Sequence, residues 1–118
     1  MATRATGHDR PKVFPRDDRL RPHIAQAIDE ALGRDADAII LYGSRSRGDH
    51  RPDSDWDVLI IVSDSVDLSG ANRRVRAALD PLIDRFGTRI SPLVLRWRDT
   101  DDHVGILRNV IDEGVPLI

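Results

Sequence analysis

Two short apolar runs joined by a polar loop constrain the fold of this 118-residue chain more than any other feature. The first run is Ala38, Ile39, Ile40, Leu41 and Tyr42, which stops abruptly at Gly43-Ser44. The second is Trp56, Asp57, Val58, Leu59, Ile60, Ile61 and Val62, apolar at every position beyond Asp57. Both are rich in strand-forming residues, and the second predicts a central strand covered on both faces. Residues 45–54 between them are polar and broken by Gly48 and Pro52, leaving room for one short helical turn and no long element. A parallel crossover takes a dozen or more residues including a real helix, so this loop predicts antiparallel neighbours. The end of the first strand then faces the beginning of the second, which brings Ser44 near Asp55.

Helical periodicity flanks these strands. From Asp17 or Asp18, the residues Leu20, Ile24, Ala27, Ile28, Ala31 and Leu32 recur at helical spacing and stop at Gly33, with Pro22 expected in the first turn. Residues 71–86 return to that period through Val75, Leu79, Leu82, Ile83 and Phe86, with Pro81 expected to kink or restart the helix. Residues 88–95 predict a third strand, placed at an edge or bulge by Pro92. A last helix is expected over residues 99–113, ended by Gly114 and followed by the apolar tail Val115, Pro116, Leu117 and Ile118. The expected architecture is α/β (α+β), a small, mixed and largely antiparallel sheet flanked by helices. Residues 1–16, without apolar period, read as a loose tail, and residues 17–118 as one domain.

Composition excludes several classes. The longest apolar stretch, residues 58–62, is far too short to span a bilayer. With no cysteine there is no disulfide framework, thiolate nucleophile or Cys-based zinc site. The first ten residues lack the apolar core of a secretory signal, so a cytoplasmic location is expected. A net charge of -2 argues against non-specific binding along a duplex. The positive charge is nearly all arginine, and Arg45, Arg47 and Arg51 fall in the one loop, where a guanidinium fork suits phosphate oxygens.

The chemistry concentrates where the loop meets the second strand. Side chains alternate along a strand, so Asp55 and Asp57 project to one side while Trp56 points to the other. Two converging carboxylates repel, and a hard divalent cation, magnesium or manganese, relieves that repulsion. Opposite them Gly43 lets a phosphate approach the backbone, and the Ser44 hydroxyl with nearby N–H groups can hold its oxygens. Arg45 and Arg47 supply further positive charge. Such a site positions a nucleoside triphosphate for in-line displacement. Taken singly each piece has a structural reading, because Gly-Ser is a common turn and aspartates often begin strands. Asp53, Asp55 and Asp57 also mimic the start of a calcium loop, but Val58 stands where that loop requires glycine and a strand follows.

Gly43-Ser44, ten intervening residues and Asp55-Trp56-Asp57 together resemble the signature of the DNA polymerase beta-like nucleotidyltransferase superfamily. The string GSRSRGDHRPDSDWDVLIIV looks much like its minimal bacterial members, and the resemblance covers about residues 20 to 118. It implies transfer of a nucleoside monophosphate from a triphosphate, ATP by analogy, to a protein or small-molecule hydroxyl, with release of pyrophosphate. Carried over by position, Ser44 would hold the terminal phosphates and Asp55 and Asp57 would ligate the metal. The family's third carboxylate, on a later strand, has no counterpart, since Ser91 occupies that place and neither Asp84 nor Asp99 does. Minimal members resembling this chain are often encoded beside a small helical protein of the HEPN type. A nucleotide-binding, antitoxin-like partner of such a protein is therefore the alternative.

Overall fold

The computed structural model describes residues 15–43 and 55–117. Among them three helices flank a four-stranded sheet: α1 is Pro15–Leu32, β1 Ala36–Tyr42, β2 Trp56–Val62, α2 Leu68–Phe86, β3 Ile90–Arg96, α3 Val104–Glu113 and β4 Val115–Pro116. The strand order is β3-β2-β1-β4. β1 runs antiparallel to β2 and β4, while β2 and β3 are parallel, so the sheet is mixed as the patterns predict. β2 is central and buried at every position beyond Asp57. β3 lies at the edge, where Pro92 removes no inner ladder donor.

The two faces of the sheet are covered unequally. On one, Leu20, Ile24, Ile28 and Leu32 of α1 and Ala71, Val75 and Leu79 of α2 pack on Ile39, Leu41, Trp56, Val58, Ile60, Val62, Ile90 and Val94. On the other, Leu107 and Val110 of α3 pack with Ala38, Tyr42 and Leu93 against Leu59, Ile61 and Leu95. Burial of the apolar stripes supplies most of each helix's stability. No helix among the described residues is long and apolar enough to cross a membrane.

Several boundaries differ from expectation. α1 starts at Pro15, so Pro22 sits inside the helix rather than in its first turn. The buried stripe outweighs the missing backbone donor there. α2 begins earlier than expected, at Leu68, because the Asp67 carboxylate caps it by accepting from the Gly70 N–H at 3.1 Å. It runs through Pro81 as one continuous helix and stops at Gly87, whose φ of +63° suits a residue without Cβ. The last helix is shorter than expected, since residues Trp97–His103 form a 3-10 segment. Local bonds hold that tighter winding: Arg96 Nε to Asp99 Oδ2 at 2.7 Å and the Thr100 hydroxyl to the Trp97 carbonyl at 2.7 Å. The Arg98 N–H to Asp64 Oδ1, at 2.9 Å, and Trp97 Nε1 to Asp37 Oδ2, at 2.7 Å, tie it to the sheet. The apolar tail also gains an unexpected role, because Val115 and Pro116 pair with Leu41 and Ile40 as β4.

Candidate functional site

The site forms where β1 ends and β2 begins. Antiparallel register sets Tyr42 opposite Asp57, the last pair before the loop. Gly43 follows at φ +78°, a left-handed conformation that turns the chain away at little steric cost only for glycine. A methyl group at its Cβ position would stand 2.6 Å from Asp57 Oδ2, so the missing side chain is what admits the carboxylate. Ser44, Arg45 and Arg47, the expected phosphate contacts, lie outside the described residues, as do Arg51 and Asp53.

Trp56 is 1% exposed and anchors the start of β2 in the core beneath α1 and α2. Strand alternation then sends Asp55 and Asp57 to the opposite face. Burial raises the Asp57 pKa above its ordinary carboxylate value, and the nearby Asp55 charge raises it further. Tyr42 responds in kind, its phenol pKa raised by burial and then by the Asp57 charge. The site therefore concentrates negative charge in partly desolvated surroundings.

β3 adds two side chains. Parallel register sets Ser91 beside Asp57 and Ile90 beside Trp56, and the Trp56 N–H donates to the Arg89 carbonyl at 2.9 Å. This backbone bond places Arg89 alongside Asp55. Arg89 Nε donates to Asp55 Oδ1 at 3.0 Å, and the Ser91 hydroxyl donates to Asp55 Oδ2 at 3.5 Å. Both oxygens of Asp55 are thus engaged from the neighbouring strand. The sequence patterns do not single out Arg89. Its only sequence signal is its place two residues before Ser91, on the same side of the β3 track, and that matters once the register is known.

The donor chemistry fits a divalent cation. Two carboxylates on one side of a strand, one with its ionised form disfavoured by burial and by the other, offer hard oxygens to a hard ion. Among the described residues no group of three or more His, Cys, Asp or Glu side chains could hold a metal. Asp55 and Asp57 would therefore share such an ion with water and substrate phosphate oxygens, the usual habit of magnesium.

A sequence model described as the nucleotidyltransferase domain matches residues 23–91, which include the second half of α1, the two aspartates and Ser91. No curated protein matches the chain. Among solved structures, a toxin–antitoxin complex with AMP-PNP aligns with a TM-score of 0.59 at 20% identity, covering 83% of this chain and 72% of that one. A candidate nucleotidyltransferase from Sulfolobus solfataricus also aligns at 0.59, with 17% identity over 89% of this chain and 87% of that one. A mutant of the toxin–antitoxin MntA-HpeT aligns at 0.54, with 16% identity over 89% and 73% of the two chains. At these identities the structures establish a shared fold.

Proposed function

The chain belongs to the nucleotidyltransferase domain family, and from that membership we propose that it transfers a nucleoside monophosphate from a nucleoside triphosphate to a hydroxyl in a metal-dependent reaction. The observation that carries this reading is the juxtaposition of Gly43 with Asp57, and of Asp57 with Asp55, at the mouth of the loop containing Ser44. Asp55 and Asp57 hold the cation, which when bound neutralises phosphate charge and steadies the attacking and leaving oxygens. Gly43 keeps the approach to the Asp57 carboxylate open. Ser44, Arg45 and Arg47 take the terminal phosphates. ATP is the donor most in keeping with the AMP-PNP in one structural neighbour's complex.

The acceptor is a protein or small-molecule hydroxyl. Two structural neighbours come from toxin–antitoxin pairs, which supports a protein acceptor such as a small helical HEPN-type partner. A second reading, a nucleotide-binding antitoxin-like module with little transfer activity, is favoured by the occupancy of β3. Ser91 stands beside Asp57 and neither ligates metal strongly nor accepts a proton at neutral pH. Incubation with labelled ATP and magnesium, alone and with the product of the adjacent gene, separates the readings. Label on protein supports transfer. Triphosphate binding without label under either condition supports the binding module, and failure to bind triphosphate rejects both.

A further inference from the structure

Asp55 already has a cationic partner. The Arg89 guanidinium reaches its Oδ1 at 3.0 Å, from a side chain 80% exposed against 35% for Asp55. The backbone beneath is held by the parallel ladder, since the Arg89 carbonyl accepts from the Trp56 N–H, so the pairing is set by strand register. Among the described residues no cationic side chain forms an ion pair with Asp57, whose carboxylate lies against Gly43 and feels Asp55.

We propose that Arg89 is an exchangeable counter-cation, held by Asp55 while the metal site is empty and released toward the triphosphate when a divalent cation takes Asp55. This inference rests on the reading of Asp55 and Asp57 as metal ligands. Three features support the exchange. Arg89 and Ser91 already engage the two oxygens of Asp55, so a cation bound there would compete with the guanidinium for the same carboxylate. The Arg89 side chain is 80% exposed, which makes the ion pair weak and displaceable. Once displaced, it remains tethered beside Asp55 as a free fork, suited to the equatorial oxygens of a phosphate. The same side chain therefore opposes the cation alone and favours the cation with nucleotide. Arg89 in this scheme contacts phosphate oxygens of the substrate and forms no covalent bond with it.

The test is calorimetry on the full chain and on Arg89→Gln and Arg89→Lys, titrated first with manganese alone and then with AMP-PNP in saturating manganese. Arg89→Gln is expected to bind manganese about two- to five-fold more tightly, the scale of an exposed ion pair, and to bind the nucleotide more weakly. Arg89→Lys, which keeps the charge, is expected near wild type for manganese. Opposite signs for the two ligands distinguish exchange from a structural role, which would weaken both. Equal manganese affinity in Arg89→Gln and wild type overturns the inference while leaving the metal site intact. Weakening of both ligands overturns it too. Absence of manganese binding in all three proteins overturns it together with the metal-dependent reading.

Discussion

Gly43 and Asp57 meet across the antiparallel pair so closely that one carboxylate oxygen, Oδ2, stands only 2.6 Å from where a Cβ of residue 43 would be. Two physical demands coincide at that glycine: a φ of +78° and the space for Oδ2. Gly43→Ala is accordingly expected to destabilise the chain by about 1–3 kcal/mol through left-handed backbone strain and displacement of Asp57. Metal-dependent nucleotide binding should fall more than that stability loss explains. Thermal melts paired with calorimetry check both, and unchanged binding in a folded variant would refute the role given to the glycine.

Asp57 also makes the stability of the metal-free protein depend on pH. Its folded-state pKa is raised, so the folded chain holds that proton more tightly than the unfolded chain does. Asp57's contribution to stability therefore falls as pH rises from about the ordinary value of 3.8 through the raised folded value, and stays low above it. Asp57→Asn should remove this decline and raise stability at neutral pH, while losing the metal dependence of triphosphate binding. Denaturant midpoints for the two proteins across pH 3 to 8 give the comparison; parallel curves would show that Asp57 carries no such linkage.

Ser91→Asp restores a carboxylate beside Asp57 in the parallel register. Like charges at that spacing should lower the stability of the metal-free chain and strengthen manganese binding. If transfer is limited by the want of a proton acceptor, the rate should rise, up to about 10²–10⁴-fold. A labelled-ATP time course with wild type as reference reads this directly. An unchanged rate despite tighter metal binding would place the limitation in acceptor positioning.

Trp56, between the two aspartates in sequence, holds them to the opposite face by filling the core beneath α1 and α2, with 1% of its surface exposed. Trp56→Ala is expected to cost about 3–5 kcal/mol, a large part of the roughly 5–15 kcal/mol that keeps a domain folded. Trp56→Phe should cost less and keep the site. Urea denaturation measures each loss, and a cost under about 1 kcal/mol for the alanine variant would contradict the packing role.

Much of this arrangement is local and was legible along the chain. Period-two alternation alone separates Asp55 and Asp57 from Trp56, and a loop without room for a crossover helix makes β1 and β2 antiparallel. The apolar run of β2 announces a central strand, and Pro92 announces the edge. The expectations that failed concern places where distant groups compete with local pattern. The 3-10 winding of residues Trp97–His103 is pinned through Asp37 and Asp64, and two residues of β4 carry no period of their own to read.

What only the tertiary structure decided is the company each aspartate keeps. Arg89 lies 34 positions from Asp55 along the chain, beyond the whole of α2, and reaches it because β3 docks parallel to β2 in one register. A shift of one residue would turn Arg89 and Ser91 to the opposite face. No local periodicity encodes that register; it follows from how α2 and the core residues Val58, Ile60, Ile90 and Val94 pack together. The sequence by itself determined which residues carry the negative charge of the site and on which side of β2 they stand. The packed sheet determined that this charge is met by Gly43 on one strand and by Arg89 and Ser91 on the other, because those contacts arise only when the strands assemble.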